Sequence, residues 1–312
     1  MISSVLTLGE TMILLDGVEG DGLVLGERFR LRVAGAESNV AVALKRLGVN
    51  VTWISRLGRD AFGDLVETTL AGEGLDLEHV ERDTAPTGVF FKWHEEGSSR
   101  VLYRRAGSAA SRLEPGDVPE TAIQRAGLVH LTGITMALSD SARRTVVETA
   151  HRARAAGAIV TFDPNYRPAL WESAQAAGEA MREVMPLVDW VLCGLEEGCA
   201  VFGASTPAEL RSVLLGAGAG DLAVRVGVRG TVVWAGEESL PVPPLRLERV
   251  VDEIGAGDGF AAGFAFGLLH GLAPPACARA GNVVAARALR GSGDWETFPY
   301  LAEVEDELFE EP

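Results

Sequence analysis

Lysine is nearly missing from this chain. Lys45 and Lys92 are the only two, and the other 26 cationic side chains are arginine. Neither lysine lies in a GxxxxGK[ST] loop, which excludes a P-loop phosphotransferase. Cysteine is scarce as well. Cys193, Cys199 and Cys277 are odd in number and match no zinc-ligand spacing, so they are read as reduced thiols serving as small apolar residues. The five histidines, His79, His94, His130, His151 and His270, form no ligand cluster. No apolar run approaches the ~18 residues needed to span a bilayer, although mean hydropathy is +0.15. The segment from Met1 to Leu15 lacks the basic n-region and small-residue cleavage site of a signal peptide, so a cytoplasmic location is expected. Positive charge is in deficit overall, with a formal net charge of −16. Such a chain repels nucleic acid and anionic membrane. Any anion site must then be built locally, from arginine or backbone N–H groups.

What the sequence does have is apolar bulk and a regular rhythm. The 312 residues are 47% hydrophobic, enough for a large core. Strand-like runs at Val5–Gly9, Val51–Leu57, Leu128–Leu131, Ala158–Phe162, Trp190–Cys193, Ala223–Val226 and Val232–Trp234 alternate with helical patterns. Those helices include a face of Val40, Leu44 and Leu47, then Val66–Glu73, Ser141–Ala156, Ala174–Val184 and Pro207–Leu215. The alternation predicts an α/β fold over residues 1–312, a mostly parallel sheet flanked by helices on both faces. Two segments break the rhythm, Leu23–Val33 and Thr87–Tyr103, and read as antiparallel strands of a small flap. The acidic tail Glu303–Pro312 reads as a solvated or frayed end.

The most informative stretch is Val250-Val251-Asp252-Glu253-Ile254-Gly255-Ala256-Gly257-Asp258-Gly259-Phe260-Ala261-Ala262-Gly263. A glycine-rich turn leads into Phe260, Phe264 and Leu268 at helical spacing, which puts Gly255–Asp258 at a helix N-terminus. Unpaired N–H groups and the positive end of the helix dipole then face one spot where an anion fits. A carboxylate there is a poor phosphate ligand but is well placed to take a proton from an attacking hydroxyl. Taken by itself, the turn is equally compatible with Asp258 merely capping the helix.

Asp252 through Gly263 reproduces the D-x-x-G-A-G-D-x-F-x-x-G string of the ribokinase-like (PfkB) carbohydrate kinases, which the chain resembles. Ala34-Gly35-Ala36-Glu37-Ser38-Asn39 and Gly58-Arg59-Asp60-Ala61-Phe62-Gly63 fit that family's N-terminal signature, with Ala34 where a first glycine is usual. The resemblance runs from about residue 5 to about residue 300. It implies a ribokinase-like fold, with lid strands within about 11–33 and 87–105, and ATP and Mg²⁺ as cofactors. It implies Asp258 as catalytic base and the N–H groups of Gly255, Ala256 and Gly257 as an anion hole. It also implies a nucleotide site at Arg225, Gly227, Gly230, Gly255, Gly257 and Asn282. The two glycines of Gly227–Gly230 equally suit an ordinary hairpin turn. Glu197 matches an acidic position that helps organise hydrated Mg²⁺, but Gly194 replaces the usual amide or hydroxyl three residues before it. A monovalent cation site near Asp252, as in some relatives, is compatible with the sequence but not readable from it.

Within the family, Tyr103-Arg104-Arg105 and Asp163-Pro164-Asn165-Tyr166-Arg167 are similar to the sugar-acid contacts of 2-keto-3-deoxygluconate kinases. The resemblance places Tyr103, Arg105 and Arg167 on the substrate, with Gly35, Phe90 and Ile134 lining its pocket and Phe90 standing where tyrosine is typical. A planar guanidinium can grip a carboxylate with two parallel hydrogen bonds. Arg100 reads as solvated, and Arg104 fits either role. Asp163 and Asn165 read as turn or supporting residues, and Tyr166 and Trp171 as packing.

Three other functions compete with this reading. A neutral-sugar kinase, such as a fructokinase or ribokinase, would leave the buried guanidiniums of Arg105 and Arg167 without counter-charge. A non-catalytic sugar or nucleotide sensor has no use for an intact base, although Gly194 argues mildly for it. A dinucleotide-dependent dehydrogenase would need a GxGxxG after the first strand, and none is present. Exposed lid edges often pair between subunits, so a homo-oligomer is expected.

Overall fold

The structure is a computed structural model that describes every residue except 1–3, 19–21, 97, 246, 248, 252, 253, 292 and 310–312. The chain opens with β1 (Ser4–Leu8), which enters the centre of the main sheet. It then leaves for a small sheet through β2 (Met12–Gly17) and β3 (Phe29–Ala34). Helix α1 (Ala36–Arg46) returns it to β4 (Asn50–Gly58), α2 (Ala61–Gly72) and β5 (Val80–Asp83). A second excursion, β6 (Val89–Glu95) and β7 (Ser98–Arg104), completes the small sheet. Helices and strands then alternate, with two helices after β8 and after β10: α3 (Glu120–Arg125), β8 (Ala126–Thr132), the single turn α4 (Gly133–Met136), α5 (Asp140–Ala155), β9 (Ile159–Asp163), α6 (Ala174–Met181), β10 (Trp190–Gly194), α7 (Leu195–Phe202), α8 (Pro207–Gly216) and β11 (Asp221–Arg225). The chain ends with β12 (Thr231–Ala235), β13 (Glu238–Val242), α9 (Ala256–Leu269), α10 (Pro274–Ala288) and α11 (Leu301–Phe309).

The nine-stranded sheet runs β13-β12-β11-β10-β9-β8-β1-β4-β5. It is parallel except at one edge, where β12 and β13 join as antiparallel ribbons. Side chains alternate across it, as period-two geometry requires. Val5, Leu128 and Leu192 pack on one face under α1, α9 and α10, whereas Leu6, Val129 and Val191 pack on the other with α5 and α6. The small sheet runs β3-β2-β6-β7. Its central pair β2–β6 is parallel, not antiparallel as its short-period pattern predicts, because the chain crosses the whole first βα region between them. The outer pairs are antiparallel.

Three further differences have physical reasons. The acidic tail is helical over Leu301–Phe309, since Val304 and Leu308 bury themselves at i, i+4 against the core; residues 310–312 lie outside the described residues. Helix α2 begins five residues before its apolar pattern because Asp60 caps it, with Oδ1 accepting the Gly63 N–H at 2.8 Å. Oδ2 of Asp60 accepts the Thr87 N–H at 2.8 Å, so the same carboxylate ties the helix to the start of the second excursion. Finally, α10 is rich in small residues and shows little periodicity. It lies so close to α9 that a Cβ on Gly263 would collide with the Ala280 carbonyl.

Candidate active site

Helix α9 starts where sequence reasoning puts it. Gly255 is the N-cap with φ +78°, a left-handed conformation that favours glycine, and a Cβ there would strike the backbone of Asp294. The first intrahelical bond is Gly259 N–H to Gly255 C=O at 2.8 Å. The N–H groups of Ala256, Gly257 and Asp258 precede it and stand at the helix mouth. The Asp258 side chain does not cap the helix. Its Oδ2 accepts from Asn39 Nδ2 at 2.7 Å and its Oδ1 from Asn165 Nδ2 at 3.4 Å. Two amides from two other elements thus aim this carboxylate into a cavity of about 340 Å³.

That cavity lies between the small sheet and the C-terminal ends of the main strands, the end at which open α/β sheets place ligands. Gly35, Phe90, Tyr103, Arg105, Ile134 and Arg167 all line it, with Glu197, Arg225, Gly255, Gly257 and Asp258. Tyr103 stacks on Phe90, ring centroids 5.4 Å apart, and forms the small-sheet wall. Gly35 is there because a Cβ would collide with the Glu10 carbonyl.

The nucleotide set divides. Arg225, Gly255 and Gly257 reach the cavity, whereas Gly227, Gly230 and Asn282 lie outside it. Gly227 and Gly230 have φ of +61° and +89° and make the turn of the β11–β12 hairpin, so the plainer reading of them holds structurally. Asn282 accepts from Thr231 Oγ1 at 3.0 Å and donates to the Pro243 carbonyl at 3.2 Å beside that hairpin.

Arg105 departs from expectation. It is buried, and its Nε and Nη2 both lie 2.6 Å from Glu10 Oε2. The counter-charge that a neutral sugar cannot supply is already supplied by the protein, so Arg105 by itself does not exclude a neutral substrate. Arg167 is different. It is exposed on the opposite wall, donates only to the Tyr166 carbonyl at 3.3 Å, and forms no ion pair among the described residues. Arg100 is exposed beside Glu95, as its solvated reading holds, and Arg104 is exposed with one bond to the Tyr103 carbonyl.

Sequence reasoning missed Glu10 and Asp294 and undervalued Asn165. Asn165, read as a turn residue, has φ +40° and reaches Asp258. Asp294 lines the cavity, with Oδ2 3.4 Å from the same Asn39 amide. Both missed acids had a signal: Gly9-Glu10 follows the first strand, and Gly293-Asp294 is a second glycine–aspartate turn.

Three aspartates of the cavity are hard to ionise. Burial raises Asp258 to about 6 against the pull of the Asn39 hydrogen bond and of Arg167 and Arg225. Burial and the neighbouring Asp258 raise Asp294 to about 7. Asp163 is pushed up by burial and then by Glu197. A base poised near 6 is ionised at neutral pH yet basic enough to accept a proton.

Glu197 is held from several sides. Its Oε1 accepts the Gly194 N–H at 3.1 Å and lies 3.7 Å from Arg225, and its Oε2 accepts the Tyr166 N–H at 3.0 Å. No group of three or more His, Cys, Asp or Glu suited to a metal occurs among the described residues. The donor set, with the buried unpartnered Oδ1 of Asn165, fits a cation carried by phosphates and reached through water. The expected cation position at Asp252 lies outside the described residues. The three cysteines are free, and among the described residues no helix is long and apolar enough to cross a membrane.

Comparison with known proteins points the same way. A model of the pfkB family carbohydrate kinases matches residues 3–299. The 2-dehydro-3-deoxygluconokinase of Bacillus subtilis is 36% identical over 94% of this chain and 91% of its own length. The 2-dehydro-3-deoxygluconokinase of Thermoproteus tenax is 35% identical over 98% of this chain and 94% of its own. Among solved structures, a PfkB protein from Polaromonas sp. JS666 superposes with a TM-score of 0.88 at 36% identity, covering 97% of this chain and 99% of that one.

Proposed function

This chain belongs to the pfkB family of carbohydrate kinases, ATP-dependent enzymes, and from that premise we propose that it phosphorylates the terminal hydroxyl of 2-keto-3-deoxygluconate. The observation that carries the substrate assignment is Arg167, a cation that lines the cavity holding Asp258 and forms no ion pair among the described residues. A sugar acid supplies a carboxylate for that guanidinium to grip.

In this reading Asp258 accepts the proton of the sugar hydroxyl as its oxygen attacks the γ-phosphorus. The bond from that phosphorus to the β,γ-bridging oxygen breaks, and ADP leaves. The N–H groups of Gly255, Ala256 and Gly257 stabilise charge on the transferring phosphoryl oxygens. Arg225 reaches the phosphates, and Gly227, Gly230 and Asn282 flank the base end of the nucleotide. Glu197 would hold the water shell of a Mg²⁺ ion, which would supply neutralisation of the phosphate charge. Tyr103, Phe90, Ile134 and Gly35 shape the sugar pocket, and the small sheet serves as its lid. The lid exposes Leu31 and Val101 and has β3 and β7 as its edge strands, which supports a homo-oligomer. The cytoplasm is the compartment that supplies its ATP.

The Glu10–Arg105 pair favours one second reading, a kinase of neutral sugars such as fructose or ribose, since that pair needs no acidic substrate. Steady-state kcat/KM of the wild type by coupled ADP release separates the two. A strong preference for 2-keto-3-deoxygluconate is expected, and a preference for fructose or ribose overturns the acid assignment.

A further inference from the structure

Glu10 follows β1 at its C-terminal end and is 3% exposed. It does not line the sugar cavity, but Arg105 does. Nε and Nη2 of Arg105 converge on one oxygen, Glu10 Oε2, each at 2.6 Å. The third nitrogen, Nη1, makes no hydrogen bond among the described residues. The guanidinium also lies 5.6 Å from the Tyr103 ring centroid. Arg105 immediately follows β7 of the lid, so this one ion pair joins the lid to the fixed centre of the main sheet.

We propose that Glu10 is a positioning residue for the sugar site, locking the Arg105 guanidinium so that its free edge faces the substrate. An unpaired arginine is rich in rotamers, and burying it without a counter-charge is unfavourable. A carboxylate on its inner edge resolves both difficulties. The pair is neutral as a unit, so the lid wall offers the sugar a directed donor with little net charge, and the choice of an acid falls to Arg167. That last consequence rests on the proposed substrate, whereas the positioning role does not.

The test is a double-mutant cycle with Glu10→Gln, Arg105→Gln and the pair, measured with whichever of 2-keto-3-deoxygluconate and fructose the wild type uses better. A wrong substrate assignment then changes the sugar in the assay and not the cycle. Glu10→Gln is expected to raise the sugar KM by about 10-fold, the scale of a lost charge-assisted hydrogen bond, while KM for ATP moves less than about twofold. In the Arg105→Gln background, Glu10→Gln should change the sugar KM no further. Glu10→Asp, which keeps the charge on a shorter stem, should lie between wild type and Glu10→Gln, and it replaces Glu10→Gln if that variant does not fold. A wild-type sugar KM in a Glu10→Gln protein that merely melts earlier would overturn the proposal. So would full additivity with Arg105→Gln.

Discussion

The Asn39 side-chain amide donates to Asp258 across 219 residues of sequence, its Nδ2 lying 2.7 Å from Asp258 Oδ2. This bond lowers a carboxylate that burial otherwise raises, and the balance leaves Asp258 at about 6. The active form of a base is the deprotonated one, so kcat/KM should fall as pH drops through about 6. Asn39→Ala removes a lowering influence and should move that acidic limb to higher pH. A pH profile of both proteins checks it, and a limb that stays in place or moves down would contradict the role given to Asn39.

Asp258→Asn should reduce kcat by roughly 10²–10⁴-fold, the usual worth of a positioned general base, with little change in either KM. Asparagine keeps the volume and can still meet the Asn39 amide through its carbonyl oxygen, so loss of folding is not expected. Near-wild-type turnover would remove Asp258 from the chemistry.

Gly194→Asn should leave activity unchanged or lower the Mg²⁺ requirement. Gly194 is the N-cap of α7 at φ −75° and ψ 146°, a conformation open to any residue. A Cβ there would meet only Glu197 Oε1, at an ordinary 3.7 Å. Titration of activity against Mg²⁺ checks this, and a large loss would mean that the glycine itself is required.

Glu37 is wholly buried, its carboxylate accepting from the hydroxyls of Thr132 and Thr135. Burial raises it from an ordinary 4.5 to about 7. A carboxyl raised in the folded state binds a proton that the unfolded chain has released. Its stabilisation is therefore full below about pH 4.5 and is lost as pH rises through about 7. Glu37→Gln keeps the acceptor oxygen and removes the titration. Relative to wild type it should gain stability between pH 5 and 8, by up to roughly 3 kcal/mol. Denaturant melts at both pH values check the sign, and an equal pH slope in the two proteins would contradict it.

Several features were legible in the sequence for physical reasons. The central strands are apolar runs on both faces, and Gly255–Asp258 announces its helix mouth through glycines that only a close approach demands. Asp258 could be named in advance from its glycine-rich turn, and Tyr103, Phe90, Ile134 and Arg167, which line the same cavity, from the family resemblance. Asn165 and Asp294 gain their meaning only when the segments after β9 and α10 meet at one cavity, and Glu10 only when the segment after β1 packs behind Arg105, which no local period encodes. The parallel pairing of β2 with β6 was hidden for the same reason, since period-two alternation fixes a strand's faces and not its neighbour's direction. Helix α11 was masked by its charge: six of its flanking and internal positions from Glu303 to Glu311 are acidic, and two apolar residues suffice to dock it.

The central claim is that Arg167 reads the carboxylate of the sugar whose far hydroxyl meets Asp258, and it is tested most directly by kcat/KM for 2-keto-3-deoxygluconate and for fructose in wild type, Arg167→Ala and Arg167→Lys. Loss of one charge-assisted contact should cost about 10- to 150-fold on the acid and far less on fructose, with lysine recovering only part because an ammonium lacks the planar fork. Equal losses on the two sugars would contradict the claim, leaving Arg167 as a residue that shapes the cavity without selecting what enters it.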